Sequence, residues 1–199
     1  MRLDQPKARR WLRNPWMWIA CFFILQFLGS LGVIRSLKVD LWDVYPALAF
    51  LLAGFGVSAA LAGLGGRMRM TEGTVRWLPA VLYALFIFSL SHRSFSSVSA
   101  SVNSDLFHPL EYWSFSLLLS WALEPLFEVR SMRSFSLAVL GIGLVYGIGD
   151  EIHQAFIPGR TPSLLDLALD MAGVAAGWGT FMVLRHLFRS TPQKRPILS

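Results

Sequence analysis

Polar residues along this chain fall at intervals that leave six long apolar runs between them. The runs are Trp16–Ile34, Leu41–Leu64, Val75–Ser91, His108–Leu123, Ser134–Gln154 and Ser163–Phe188. A helix that crosses a bilayer needs roughly 20 mostly apolar residues, within a range of about 17 to 25. The first two runs meet that requirement by hydropathy alone. The third and fourth are short, and so are expected to tilt or to stop below the interface. The pattern predicts an all-α fold, a polytopic transmembrane helical bundle of about six helices.

Composition supports that reading. Of 199 residues, 54% are hydrophobic and only 15% charged, against about 25% charged in a soluble domain. There are too few charges to cover a water-facing surface. The eight Trp and fifteen Phe suit interfacial anchoring and packing against lipid. Cys21 is the single cysteine, which excludes an intramolecular disulfide, and its place in an apolar run predicts a small buried hydrophobe.

The formal charge of +6 would point to nucleic acid in a soluble chain. Its distribution points elsewhere. With the N-terminus cytoplasmic, 14 of the 18 Lys and Arg fall on the cytoplasmic side, and only Arg35, Lys38, Arg93 and Arg160 fall outside. That asymmetry follows the positive-inside tendency, with both termini cytoplasmic. No nucleic-acid partner is needed to explain it. The basic start runs into a stretch too long for a signal core and lacks a clear small-residue cleavage site, so it reads as a retained first helix. The Ser-rich connection Ser94–Phe107 reads as a flexible outer loop.

On this topology the remaining polar residues gather on one side. His92 and Arg93 end the third run, and Asp105, His108 and Glu111 open the fourth. Asp150 to Gln154 end the fifth, and Arg160, Asp166 and Asp170 open the sixth. Ionisable groups at membrane depth are expensive, and they tend to be paired and functional. Residues three and four apart share a helix face. That groups His108, Glu111 and Tyr112; Gly147, Glu151 and Gln154, with Tyr146, Asp150 and His153 beside them; and Asp166, Asp170, Gly173 and Gly177. The spacings Gly143-xxx-Gly147 and Gly173-xxx-Gly177 permit close helix approach. A shared polar pocket facing outward is the expectation.

These positions resemble the VanZ-like family of bacterial membrane proteins. The resemblance covers about residues 83–177. It rests on Phe88-Ser89 to Ser91, His108-x-x-Glu111-Tyr112 and Tyr146-x-x-x-Asp150-Glu151-x-x-Gln154-x-Phe156-x-Pro158-Gly159-Arg160. Ser163, Asp166, Asp170, Gly173 and Gly177 follow. The family often carries a Lys shortly before the His, where this chain has Asp105 or Leu106, and commonly has Asn at the position of Asp170. The resemblance implies a multi-pass protein of the bacterial cytoplasmic (inner/plasma) membrane with a role in glycopeptide resistance, to teicoplanin in particular. It divides the chain into a basic segment with two added helices (1–82), a VanZ-like core (83–188) and a flexible cytoplasmic tail (189–199).

Plainer roles compete for the same residues. His108-Pro109 with Glu111 reads as a helix start, Ser163-x-x-Asp166 as a capping box, and Pro158-Gly159 as a turn. Arg160 is expected to pair with Asp166, Asp170, Glu151 or Asp150. Glu151 and Gln154 are not called for by capping. As chemistry, Glu151 with His108 suits a general base, and Arg160 suits a bidentate grip on phosphate or carboxylate. Glu111, Tyr112, Asp150, Gln154, Arg160, Asp166 and Asp170 would line the binding site. A metal held by His108, Glu111, Glu151 and His92 or His153 is disfavoured, because no tight ligand motif is present, and no cofactor is expected. The first reading is recognition of a membrane lipid or lipid-linked envelope component. A membrane-embedded hydrolase or transferase ranks second. A small-molecule transporter ranks third, for want of inverted repeats or broken helices.

Overall fold

The structure, a computed structural model, describes residues 14–64, 72–92, 107–127 and 131–189. Among them it is helical throughout, with six principal helices: α1 (Pro15–Leu37), α2 (Leu41–Leu64), α3 (Trp77–Ser91), α4 (His108–Leu123), α5 (Met132–Gln154) and α6 (Leu164–Arg189). A helical turn, Glu72–Val75, precedes α3, and a 3₁₀ turn, Glu124–Phe127, follows α4. The six predicted runs are these six helices. The loop predicted at Ser94–Phe107 lies almost wholly outside the described residues. So do Arg93, Asp105, the N-terminal basic cluster and most of the tail.

Local chemistry sets the boundaries. Asn14 caps α1, its Oδ1 accepting the Trp16 amide at 3.1 Å, and its Nδ2 reaches Ala62 O at 3.1 Å. That second bond ties the start of α1 to the end of α2 and fixes an antiparallel hairpin. The hairpin turns at Lys38, which adopts the left-handed conformation, and Asp40 Oδ1 accepts the Trp42 amide to start α2. Ser131 caps α5 through the Ser134 amide. Ser163 caps α6 through the Asp166 amide at 3.3 Å. Half of the expected capping box is therefore present.

Five helical segments are long and apolar enough to cross a membrane: Pro15–Leu37, Leu41–Leu64, Gly73–Ser91, Met132–Gln154 and Leu164–Leu187. The sixth helix, α4, has 16 residues, about 24 Å at 1.5 Å per residue, short of the ~30 Å hydrocarbon layer. It is the central post of the bundle. Ten of its residues are buried, among them Ser114, Ser116 and Ser120. Gln26 of α1 donates to Ser114 Oγ at 2.9 Å, Ser116 donates to Val174 O at 2.7 Å, and Trp113 Nε1 donates to Thr180 Oγ1 at 3.0 Å. Polar side chains thus join α4 to its neighbours, where apolar burial alone gives little drive inside a lipid phase.

The glycine pairs make that approach possible. A Cβ on Gly173 would stand 2.4 Å from Pro109 O, and one on Gly177 would stand 2.2 Å from Trp113 O. Backbone meets backbone along the α4–α6 seam. Gly143 admits the Val174 side chain in the same way, and Gly54 of α2 admits the Phe23 ring of α1. One hydrophobic cluster runs from Ile19, Phe23 and Leu51 of the hairpin through Tyr83, Ile87, Tyr112 and Phe115 to Val139, Val174 and Phe181.

Cys21 is exposed on α1, which corrects the expectation of burial. A spanning helix has hydrocarbon on its outside, so an apolar residue there need not turn inward. At the end of the bundle away from the α3–α4 and α5–α6 connections, Glu124 bridges Arg185 (3.0 Å) and Arg76 (3.7 Å), and the Arg76 guanidinium lies 4.3 Å over the Trp121 ring.

Candidate functional site

The C-terminal ends of α3 and α5 and the N-terminal ends of α4 and α6 meet at one end of the bundle. Three polar contacts join them. Ser91 donates to Asp150 Oδ2 at 2.9 Å, linking α3 to α5. His108 Nδ1 lies 3.1 Å from Asp170 Oδ1, linking α4 to α6. The Ser163 amide donates to Glu151 Oε2 at 2.6 Å, linking α5 to the start of α6. These contacts bring side chains from all four helix ends together.

Each helix turns its polar stripe inward for a local reason. On α5 the buried positions are Phe135, Val139, Gly143, Gly147, Asp150, Glu151 and Gln154, one continuous face. The small residues on that face let α6 come close. A Cβ on Gly147 would lie 3.6 Å from Asp170 Oδ2 and 3.7 Å from the Tyr112 ring. Asp150, Asp170, Tyr112 and Gln154 are all at most 4% exposed. Asp150 Oδ2 also accepts from Gln154 Nε2 at 3.0 Å, and Gln154 Oε1 faces Arg160 Nη1 at 3.5 Å. Four buried oxygens of this region have no hydrogen-bond partner among the described residues: Tyr112 Oη, Asp150 Oδ1, Glu151 Oε1 and Asp170 Oδ2. It is the least satisfied polar region of the described interior.

The segment between α5 and α6 is held by its own backbone. Ile157, Pro158, Gly159 and Arg160 form a turn closed by the Arg160 amide on Ile157 O at 3.1 Å, with Gly159 at φ 84°. Pro at the second position and a positive φ at the third match a type II turn. The turn aims Arg160 back across Gln154. Beside it Phe156 is 78% exposed.

A cavity of about 500 Å³ opens next to this cluster, within the roughly 300–1,000 Å³ of small-molecule sites. One wall carries Ser91, His108, Glu111 and Arg160, and the facing wall is the apolar side of the α1–α2 hairpin. Glu111 lines the cavity, and its side chain has no hydrogen-bond partner among the described residues.

The structure sorts the predicted site residues into three places. His108, Glu111 and Arg160 border the cavity. Asp150, Gln154, Tyr112 and Asp170 stand behind that border as its buried support. Glu151 does not line the cavity, and its carboxylate secures the start of α6, a capping contact made from a neighbouring helix. Asp166 is half-buried, and its amide takes the Ser163 cap. His92 and His153 pair with each other on the outside (3.3 Å between Nδ1 and Nε2), with Phe88 4.4 Å from the His153 ring. The side chains weighed for a metal are thus divided, and among the described residues no three His, Cys, Asp or Glu groups are placed to share an ion.

Sequence reasoning missed the hairpin wall altogether. Gln26 was the available signal. An amide in the middle of an apolar helix needs a partner, and Gln26 finds Ser114 at the cavity floor.

A model of the VanZ/LLP1 family matches residues 7–185, taking in both N-terminal helices as well as the motif-bearing region. No curated protein and no solved structure matches the chain.

Proposed function

The chain belongs to the VanZ/LLP1 family, and from that membership and the two-walled cavity we propose that this multi-pass membrane protein recognises a cell-envelope component. The ligand class is a lipid-linked or lipid-like molecule whose head bears a phosphate or carboxylate. The observation that carries the reading is the convergence of Arg160, His108 and Glu111 on a cavity whose opposite wall is hydrocarbon. A guanidinium grips such an anion bidentately, while the Glu111 carboxylate accepts a hydrogen bond from a hydroxyl or amine of the same head. Asp170 fixes the His108 ring, and Gln154 steadies Arg160. In this reading the site faces outward from a bacterial cytoplasmic membrane, and its occupancy alters how a glycopeptide such as teicoplanin meets the envelope.

Native mass spectrometry of the purified protein tests this directly. The expected result is an intact, displaceable lipid that is lost in Arg160→Ala and Glu111→Ala while membrane-inserted protein is retained. In cells, the same variants are expected to return a resistant strain to teicoplanin susceptibility. Retention of the lipid by both variants would sink the proposal.

The His108–Asp170 pair favours one second reading. A histidine held by a carboxylate at a cavity wall is the arrangement of a general base, so a hydrolase or transferase acting on the same lipid would use His108, with Asp170 as its positioning partner. A turned-over product in the mass spectrum, absent in His108→Ala, distinguishes it from binding alone.

A further inference from the structure

The cavity's apolar wall has a composition that head-group recognition does not require. It is built by Val33, Ile34 and Leu37 of α1 and Val44 and Leu48 of α2, with Leu90 of α3 beside them. Ile34, Val44 and Leu48 are buried and form a small cluster of their own, apart from the main core. Their packing shapes a surface facing Ser91, His108, Glu111 and Arg160.

The cavity is also open sideways. Gly29, Val33 and Leu110 border it and are exposed, and in a spanning bundle exposure at this level is exposure to hydrocarbon. A Cβ built on Gly29 meets nothing within 4 Å. The absent side chain at Gly29 therefore leaves the entrance wide and is not demanded by close helix packing, in contrast to Gly54, Gly173 and Gly177. Open glycine, apolar wall and polar wall share one space.

We infer that the α1–α2 hairpin is the hydrocarbon-binding half of the site: it seats the chain of a membrane lipid, entering between α1 and α4, whose head faces His108, Glu111 and Arg160. This rests on the recognition reading and narrows it. A soluble peptide or sugar would use only the polar wall. A lipid uses both, and it reaches the cavity laterally without leaving the bilayer. The two N-terminal helices thereby acquire a task in binding.

The test uses the full-length protein in phosphatidylglycerol vesicles containing a fraction of lipid with a diazirine on the acyl chain, and a parallel set with the diazirine on the head. Chain label is expected at Ile34, Val44 and Leu48, above the background at lipid-facing Leu25 and Leu52. Gly29→Trp, which places an indole in the entrance, is expected to lower that label on the order of tenfold, equivalent to about 1.4 kcal/mol of lost affinity. Gly29→Leu should give an intermediate loss. Gly56→Trp is the control, because its position on α2 is exposed, outside the cavity, and equally open. Head label at residues 107–111 and 159–160, with chain label no higher at Ile34, Val44 and Leu48 than at Leu25 and Leu52, would overturn the inference and leave head-group recognition standing. Absence of both labels would overturn both. Chain label that Gly29→Trp and Gly29→Leu leave unchanged would also overturn the inference.

Discussion

Gly177→Ala adds one methyl group at the tightest point of the α4–α6 seam. The new Cβ would stand 2.2 Å from Trp113 O, 2.9 Å from Ser116 Cβ and 3.0 Å from Trp113 C. Ordinary contact begins near 3.4 Å, so the two backbones must separate by roughly 1 Å, and neither can yield as a side chain would. Overpacking of this kind costs about 1–3 kcal/mol. The separation also stretches the buried Ser116–Val174 hydrogen bond of 2.7 Å, whose loss adds roughly 0.5–1.5 kcal/mol. A total of about 2–4 kcal/mol lowers the thermal midpoint by roughly 5–15 °C for a chain of this size. The assay is thermal unfolding of the purified protein in detergent, followed by intrinsic Trp fluorescence. Gly179→Ala is the reference, because its Cβ meets nothing within 4 Å and alanine favours a helix over glycine by about 1 kcal/mol. Gly177→Ala should also loosen the His108–Asp170 contact two turns away. If its midpoint lies within about 2 °C of Gly179→Ala, the reasoning about the seam is wrong.

Other substitutions test the site one contact at a time. Asp170→Ala removes the acceptor for buried His108 and should cost about 1.5–3 kcal/mol, whereas Asp170→Asn keeps an acceptor oxygen and should cost less than half as much, both read as unfolding midpoints. Gly159→Ala forces an L side chain into φ 84°, a penalty of roughly 1–2 kcal/mol, and Asn at the same position should recover part of the loss. Glu151→Ala frees the Ser163 amide, and hydrogen exchange at that amide should accelerate while Val139 and Val174 keep their protection. If Glu151→Gln, which retains an acceptor, exchanges as fast as Glu151→Ala, the capping role assigned to Glu151 fails.

The helices were legible in the sequence because membrane insertion demands length and apolarity, and both can be read along a line. That α6 packs closely through Gly173 and Gly177 was legible as well, but that its partner is α4 was not. Which face of each helix turns inward was harder to read. Lipid and core are both apolar, so spanning helices carry little amphipathic contrast, and Cys21 was misplaced for that reason. Among the polar residues the spacing indicated the common end but not the partners. Glu151 and Asp150 are adjacent in sequence, yet one serves the α6 start and the other takes Ser91. The cavity was out of reach because half of it is made by ordinary aliphatic residues of α1 and α2, which in one dimension look like any other membrane helix.

The shortness of α4 has a consequence for depth. His108, its first residue, pairs with Asp170, six residues into α6, which is about 9 Å along that helix. Phe156, Leu164 and Leu165, at the crest joining α5 and α6, are exposed, so apolar surface continues as far as that crest. The polar wall therefore lies below that apolar crest. On the proposed reading, a lipid approaching from a flat bilayer would descend before its head met Arg160 and His108. A thinner bilayer shortens that descent, and mismatch is charged at a fraction of a kcal/mol per Å. If a lipid fills the site as proposed, its occupancy is expected to fall as the bilayer thickens, a dependence that vesicles of graded acyl-chain length would show.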